Sequence, residues 1–191
     1  MNHLEIEYKT MLTKAEFNHL QALLMHVPAI TQTNYYFDTD ASDMRNNRLS
    51  LRIRTFEKSA EMTLKIPKAV GTLEHNLPLT RDEARHIIET GEFPTNAITD
   101  LICQHGVALE HLHTLGHLTT VRRECQTPIG LMALDRNQYA GRIDYELELE
   151  VEDAEQGKQD FEAYLKDNNI NFKYAKSKVA RFCATLKKEE D

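Results

Sequence analysis

The sequence predicts an α+β fold dominated by antiparallel β-strands, and three observations lead to that prediction. Eight segments carry alternating or β-rich patterns bounded by turn residues. Most of these segments follow one another directly, with Val70-Gly71, Pro128-Ile129-Gly130 and Ala140-Gly141 as candidate hairpin turns. Amphipathic helix patterns lie at both ends and in the middle of the chain. Eight strands with mostly sequential neighbours could close into a β-barrel.

Each predicted strand is a short run of alternating polar and apolar side chains or of β-branched and aromatic residues. Because consecutive residues of a strand point to opposite sides, most of these runs have one apolar and one polar face. The strands are expected at residues 3–9, 34–38, 48–55, 61–67, 72–79, 114–125, 131–137 and 143–152.

The first two predicted helices begin at capping boxes. Thr13 is followed three residues later by Glu16, and Thr80 in the same way by Glu83. The apolar stripe of the first helix consists of Phe17, Leu20, Leu23 and Leu24.

Three further helices are predicted from apolar spacing and from end signals. One covers residues 96–105 and stops at Gly106, since glycine readily adopts the left-handed conformation that ends a helix. The other two close the chain, near residues 154–168 and 176–188.

The composition is that of a soluble globular protein. The 191 residues are 41% hydrophobic and 28% charged, which fits one domain over residues 1–191. No apolar run could cross a membrane and the N-terminal residues lack a signal-peptide layout, so no membrane partner is expected. The net charge of −7 gives no general attraction to nucleic acid, and none is expected as a partner. Three cysteines without metal-ligand spacing are typical of the reducing cytoplasm, where we expect the protein.

The first strand places two acids and a base on one face. Glu5, Glu7 and Lys9 are spaced two residues apart, so their side chains point the same way, opposite to Leu4 and Ile6. On one isolated strand this pattern is typical of charges that face water.

The same separation of charged and apolar faces recurs on later strands. The polar faces carry Arg48, Ser50, Arg52 and Arg54; Glu61, Thr63 and Lys65; Glu74 and Asn76; Asp135; and Glu146, Glu148, Glu150 and Glu152. Two architectures fit this repetition. In one, an open sheet packs on helices and turns its polar face to water. In the other, a closed barrel turns its apolar face outward under the helices and encloses the charges. The strand pattern leaves both open.

The residue types on the polar faces indicate phosphate and metal chemistry. Arginines two residues apart on one strand suit a bidentate grip on phosphate oxygens. Clustered carboxylates suit Mg²⁺ or Mn²⁺, which prefer oxygen ligands and often bridge to substrate phosphates. Both groups on one surface are what a metal–polyphosphate site needs.

An ordered set of motifs along nearly the whole chain resembles the CYTH superfamily, the triphosphate tunnel metalloenzymes. The motifs are Glu5-Ile6-Glu7-Tyr8-Lys9, Leu51-Arg52-Ile53-Arg54, Thr63-Leu64-Lys65, Leu134-Asp135, Glu146-Leu147-Glu148 and Ser177-Lys178. The resemblance implies an eight-stranded closed antiparallel barrel, a tunnel with helices packed outside, that acts on triphosphates with a divalent metal. Family activities include inorganic triphosphatase, thiamine triphosphatase, class IV adenylate cyclase and RNA 5′-triphosphatase.

The resemblance also implies roles for individual residues. The metal ligands would be Glu5, Glu7, Glu74, Asp135, Glu146 and Glu148, with Mg²⁺ or Mn²⁺ as the cofactor. The phosphate-binding bases would be Lys9, Arg52, Arg54, Lys65, Lys178 and one of the neighbours Arg122 and Arg123, of which Arg123 is preferred. Lys176 is the alternative to Lys178. Catalysis would rest on Glu146 and Glu148, which activate water, and on Lys9, which orients phosphate.

Other motifs carry less weight. His111, His113 and His117 lie close together without a second ligand cluster, so surface positions are expected rather than a zinc site. Tyr35-Tyr36-Phe37 indicates core packing more than base stacking. Neither a Walker loop nor a Gly-x-Gly-x-x-Gly motif is present, so a phosphate cradle of backbone amides is not indicated.

The expected function is divalent-metal-dependent hydrolysis of a small-molecule triphosphate, with inorganic triphosphate as the first choice of substrate. The enzyme alternatives are a class IV-type adenylate cyclase acting on ATP and a thiamine triphosphatase. The non-enzymatic alternative is a polyphosphate- or nucleotide-binding module.

Overall fold

Eight antiparallel strands close into a barrel, and the six α-helices formed by the described residues pack around it. The structure is a computed structural model that describes residues 2–186. The strands are β1 (Asn2–Leu12), β2 (Ala29–Asp38), β3 (Ser50–Thr55), β4 (Ala60–Pro67), β5 (Thr72–Leu79), β6 (His113–Thr127), β7 (Gly130–Tyr139) and β8 (Arg142–Val151). The helices are α1 (Lys14–Leu23), α2 (Asp43–Asn46), α3 (Arg81–Thr90), α4 (Ala97–Gln104), α5 (Ala154–Asp167) and α6 (Lys178–Leu186). None of these described helices has the length and apolar character that crossing a membrane requires.

The strand pairing confirms the closed architecture and rules out the open sheet. Around the barrel the strand order is β1-β5-β4-β3-β2-β6-β7-β8. Two meanders, β2 to β5 and β6 to β8, are joined by the pairing of β2 with β6. β1 closes the ring, because Asn2 to Glu5 pair with β5 and Ile6 to Leu12 pair with β8.

Apolar residues on the outer face of the barrel form two cores beneath the helices. Over β3 to β5, Ile53 packs with Ile87 of α3 and Ile102 of α4. Over β7 and β8, Leu147 packs with Phe161 of α5. Full burial of such a side chain contributes about 1.5–3 kcal/mol. These two cores hold the apolar face outward, so the charged face must line the interior.

Helix α6 closes one end of the barrel. Phe182 inserts among Tyr36, Leu118 and Tyr139, which lie on inward-pointing strand faces. Gly116 leaves room for the ring, since a Cβ at that position would lie 2.7 Å from Phe182 Cζ. The insertion brings the first turn of α6 to the barrel interior.

Most predicted elements are present, and the differences have physical reasons. Both capping boxes are confirmed, at the start of α1 and of α3. β2 begins at Ala29 rather than at residue 34, because the added residues pair with β6. Arg48, expected on the inner face of the third strand, precedes β3 and has a φ of 57°. α2 was missed because four residues are too few for a helical period. The last helix begins at Lys178, and its predicted end lies outside the described residues.

Gly157 lets α5 lie close against β8, which yields a test of the outer packing. A Cβ there would lie 2.5 Å from Val151 Cγ2. Helix propensity alone would make Gly157→Ala stabilising by about 1 kcal/mol. We expect overpacking to outweigh that gain and to lower the free energy of unfolding by about 1–3 kcal/mol, as measured by urea denaturation.

The matched control is Gln159→Ala on the exposed side of α5, which should stay within about 0.5 kcal/mol of wild type. A Gly157→Ala protein as stable as wild type would contradict the close packing of α5 on β8.

Candidate active site

The inner face of the barrel carries the charged residues that alternate with the outward apolar ones. Glu5, Glu7 and Lys9 of β1 point into it, and so does Glu148 of β8, the strand that pairs with β1. The side chains of Glu5 and Glu148 are only 16% and 12% exposed. The charged faces therefore line an enclosed interior rather than a solvated surface.

Three carboxylates converge on the wall formed by β7 and β8. Asp135 lies directly opposite Glu146 in the strand register, and Glu148 follows two residues later on the same face. One oxygen from each lies within 4.8 Å of the others. Asp135 and Glu146 are completely buried. We call Asp135, Glu146 and Glu148 the acidic trio.

Lys178, the first residue of α6, supplies a cation to the acidic trio. Its Nζ lies 2.8 Å from Asp135 Oδ2 and 2.8 Å from Glu148 Oε1, and it also contacts Glu146 Oε1. Burial lowers the pKa of an amine, but the three carboxylates, Asp135 first, raise the pKa of Lys178 above its ordinary value. The trio is thus already arranged around one positive charge. Lys176, the alternative lysine, is exposed.

Oxygen ligands that converge on one cation are the donor set that Mg²⁺ and Mn²⁺ prefer. The acidic trio, as the described residues form it, therefore fits the divalent metal that the motifs imply.

Arg122 binds the acidic trio from a second direction. Its Nε and Nη2 donate to the two oxygens of Asp135 at 2.8 and 2.7 Å, and Nη2 also donates to Glu148 Oε2. Burial raises the pKa of a carboxyl, but Lys178 and then Arg122 lower the pKa of Asp135 and of Glu148 below their ordinary values. Both carboxyls are therefore ionised at neutral pH.

Arg122 and not Arg123 faces the interior, so the preference for Arg123 is wrong. Neighbouring residues of a strand point to opposite sides, and Arg122 lies opposite the inward Asp135 in the register of β6 and β7. Arg123 turns outward, where its Nη1 donates to the carbonyl of Val27.

Arg181 joins the site although the sequence predictions omitted it. Its Nη1 donates to Glu146 Oε2 at 2.9 Å, and its Nε donates to Asp144 Oδ2 at 3.0 Å. Two spacings could have identified the pair. Asp144 precedes Glu146 by two residues on one strand face, and Arg181 follows Lys178 by three residues on one helix face.

The acids of β1 lie on another part of the inner wall. Lys65 Nζ lies 2.6 Å from Glu5 Oε2 and 2.5 Å from Glu74 Oε1, and Lys9 Nζ lies 2.5 Å from Glu7 Oε1. Among the described residues, Glu5 and Glu7 lie outside the group of carboxylates whose oxygens converge within 4.8 Å.

Glu5 and Glu74 share one lysine but have opposite pKa shifts. At Glu5 burial dominates, with repulsion from Glu7 and Glu74 added, and the pKa is raised despite Lys65. At Glu74 burial is outweighed by Lys65 and then by Arg52, and the pKa falls to about 2. Glu74 is thus the firmly ionised partner of Lys65.

Arg52 and Arg54 form a basic wall where β3 meets β2. Arg54 Nε donates to Asn34 Oδ1 at 3.0 Å, and Arg54 Nη1 donates to Glu61 Oε1 at 3.4 Å. Burial, followed by repulsion from Arg52 and Arg122, lowers the pKa of Arg54 to about 10. Cations crowded in this way favour the entry of an anion.

Three buried N–H groups on this basic wall have no acceptor within residues 2–186: Gln32 Nε2, Asn34 Nδ2 and Arg52 Nε. The orientation of the Asn34 amide is set by its Oδ1, which accepts from Arg54. An unsatisfied buried donor costs about 1–3 kcal/mol. An anion rich in oxygen would satisfy such donors.

A cavity of about 680 Å³ lies between α6 and the ends of β3 to β5. Ser50, Lys65 and Thr72 contribute to its lining, and Lys65 connects it to the interior acids Glu5 and Glu74. Its other basic lining residues are Arg45, Arg48 and Lys176. Lys65 thus belongs both to the lining of the cavity and to the ion pairs of the interior.

Known proteins share this sequence pattern and this architecture. The chain is 33% identical over 183 residues to YjbK of Bacillus subtilis (strain 168), a match that covers 94% of each protein. The crystal structure of a Bacillus halodurans protein, provisionally named an adenylate cyclase, superimposes with a TM-score of 0.89 at 32% identity, covering 95% of this chain and 98% of that one. HpAC1 from Hippeastrum superimposes with a TM-score of 0.83 at 25% identity, covering 95% and 96%.

The family model of the CYTH domain matches residues 3–183, from just before the first inward acid to the helix that closes the barrel. This match covers almost the whole chain, and the identity to YjbK extends over 183 residues. The chain therefore belongs to the CYTH domain family.

Proposed function

We propose that this protein hydrolyses a triphosphate with the aid of Mg²⁺ or Mn²⁺, and that inorganic triphosphate is its preferred substrate. One observation carries the proposal. A carboxylate trio suited to a metal and a basic wall with unpaired donors line the same interior. Two relatives support hydrolysis: YjbK is provisionally named a triphosphatase, and HpAC1 is described as having a dominant triphosphatase activity.

The basic side chains would bind the phosphates. The guanidinium groups of Arg52 and Arg54 are suited to hold the oxygens of the transferred phosphoryl group, where negative charge spreads in the transition state. Lys9, Lys65 and Arg122 would complete the cradle from the neighbouring walls. The donors of Gln32 and Asn34 would meet phosphate oxygens beside the arginines.

The acidic trio would hold the cation and orient the attacking water. A cation held by the trio would supply charge neutralisation and polarisation of the phosphate oxygens. Glu148 is ionised at neutral pH, so one of its oxygens can accept a hydrogen bond from a water aligned with the terminal phosphorus. Glu146, in the same trio, is the second candidate to accept this hydrogen bond. In-line attack then yields phosphate and diphosphate. Glu5, Glu7 and Glu74 would provide further oxygen ligands across the interior.

Adenylate cyclase is the second candidate, because the Bacillus halodurans relative carries that provisional name at 32% identity. The same cradle would then place a ribose 3′-hydroxyl against the α-phosphorus of ATP and release diphosphate. A thiamine triphosphatase would also use this cradle. A binding module without turnover is disfavoured, since carboxylates beside a bound anion cost energy unless a metal is present.

A substrate panel tests the proposed reaction. Purified protein is incubated with Mg²⁺ or Mn²⁺ and with tripolyphosphate, thiamine triphosphate or ATP, and phosphate and cyclic AMP are measured. We expect phosphate release to be fastest from tripolyphosphate and to cease when a chelator removes the metal. Cyclic AMP from ATP would instead establish the cyclase, and tight binding without product would establish the binding module.

Two substitutions test the site. We expect Arg52→Ala and Glu146→Gln each to lower turnover of tripolyphosphate by at least ~100-fold, because each removes a preorganised charge from the reacting phosphate or its metal. Arg142→Ala and Glu152→Gln, which change exposed residues on and just after β8, are the charge-matched controls and should keep wild-type rates. Near-normal turnover in the first two variants would contradict the site assignment.

The neighbours Arg122 and Arg123 give an internal comparison. Arg122→Ala should lower kcat/KM by about 10- to 100-fold, because a hydrogen bond to a charged group contributes about 1.5–3 kcal/mol. Arg123→Ala should change kcat/KM by less than about twofold, since this side chain lies outside the barrel. Rates are compared at a temperature where circular dichroism shows both variants folded. An equal loss in both would mean that the inward position of Arg122 does not matter to the reaction.

A further inference from the structure

We infer that Lys178 and a divalent cation are alternative occupants of the acidic trio, so that the first residue of α6 keeps the metal site closed until a triphosphate draws the lysine away. The inference rests on the proposed function for the identity of the anion. It concerns how metal binding and substrate binding are coupled at that site.

Lys178 takes the trio oxygens that face one common point. Its Nζ contacts Glu146 Oε1, lies 2.8 Å from Glu148 Oε1 and lies 2.8 Å from Asp135 Oδ2. These three carboxylates are also the group whose oxygens converge within 4.8 Å, among the residues that the structure describes. An ammonium and a dication cannot share these oxygens, because the two positive charges would repel strongly in a buried site.

The two arginines of the site contact the same carboxylates. At Glu146 and Glu148 they use the oxygen that Lys178 does not, whereas Asp135 Oδ2 is shared between Arg122 Nη2 and Lys178 Nζ. Arg122 donates to Glu148 Oε2 and to both oxygens of Asp135, and Arg181 donates to Glu146 Oε2. If Lys178 leaves, these bonds keep the carboxylates in place with Oε1 of Glu146 and Oε1 of Glu148 turned to the vacated point. The arginines therefore orient the trio, and Lys178 supplies the cation at the point where the three carboxylates converge. Asn137 Nδ2 also donates to Glu146 Oε1, at 3.3 Å.

The position of Lys178 in its helix favours exchange of partners. It is the first residue of α6, where the helix dipole places positive charge, so a cation is disfavoured there without acidic partners. Its long side chain can turn to a phosphate oxygen without unwinding the helix, which is anchored by Phe182. A phosphate group would thus replace three carboxylates as the partner of the ammonium, and the carboxylates would become available to the metal.

Coupling of this kind works in both directions. If triphosphate binding raises the affinity for metal by releasing the lysine, metal binding must raise the affinity for triphosphate by the same factor. The substrate-free protein should therefore bind divalent ions weakly, although its carboxylates are already arranged to hold one.

The first experiment measures Mn²⁺ binding to the substrate-free protein by titration calorimetry. Lys178→Met keeps most of the length of the side chain and removes its charge, and we expect it to bind Mn²⁺ at least tenfold more tightly than wild type. The matched control is Lys173→Met, since Lys173 pairs with Glu16 rather than with the trio. This control should bind Mn²⁺ as wild type does. Equal affinities for Lys178→Met and wild type, or no measurable binding by either, would overturn the inference.

The second experiment uses the wild-type chain and does not depend on the folding of a variant. Lysines are acylated with a small reagent and the modified residues are quantified by mass spectrometry, with and without saturating Mn²⁺. We expect Mn²⁺ to raise the labelling of Lys178 at least severalfold and to leave Lys173 unchanged. Unchanged labelling of Lys178 at saturating Mn²⁺ would contradict displacement.

The outcome is separable from that of the proposed function. Hydrolysis of tripolyphosphate is measured with the same preparations. Tighter Mn²⁺ binding by Lys178→Met without any hydrolysis by wild type would support the inference and reject the proposed function. Hydrolysis by wild type with no change in Mn²⁺ affinity would reject the inference alone.

Discussion

The pairing of buried charges inside the barrel is the interaction on which the rest of the structure depends. Asp135 and Glu146 are completely buried, and Lys178 and an arginine contact each of them. Removing one partner from such a set typically costs about 3–5 kcal/mol, whereas an apolar replacement of the whole set can be neutral or stabilising. The charges are therefore poor evidence for stability and good evidence for a site that must hold charge.

The placement of the helices follows from this charged interior. A barrel that turns its charges inward must turn its apolar residues outward, and these residues need cover. Ile53 and Leu147 lie on opposite parts of the outer wall, and each is completely buried beneath helices. Helix α6 differs from the others, because it contributes Phe182 to the end of the barrel and Lys178 and Arg181 to the interior. The fold thus divides its helices between those that cover the wall and one that enters the site.

The alternation of polar and apolar residues predicted which face of each strand carries the charged side chains. It did not predict which of those side chains contact one another. Period two placed Glu5, Glu148, Arg52 and Lys65 on the polar faces of their strands without any knowledge of strand pairing, and closure of the barrel turns those faces inward. The same rule shows only that Arg122 and Arg123 point to opposite sides, and the register against Asp135 was needed to choose between them. The separation of Glu5 and Glu7 from the acidic trio has a related reason. Facing one interior does not determine which carboxylates meet, since that depends on the stagger of eight strands and on which lysine each acid contacts. Residue spacing could have identified Asp144 and Arg181 as candidates for the site, but it could not show that their side chains contact each other.

The way β1 closes the ring has a consequence for how the chain folds. Residues Ile6 to Leu12 of β1 pair with β8, which lies about 140 positions later along the chain. This edge of β1 therefore stays unpaired until β8 has been synthesised. Such a contact has a high sequence separation, and contacts of this kind slow folding because a long loop must close before they form. During synthesis the β2–β5 meander can assemble while the first strand has one free edge. Glu5 and Glu7 are thus the earliest residues of the site to leave the ribosome and among the last to be enclosed. Until then, the unpaired edge of β1 is exposed to chaperones and to aggregation with other chains.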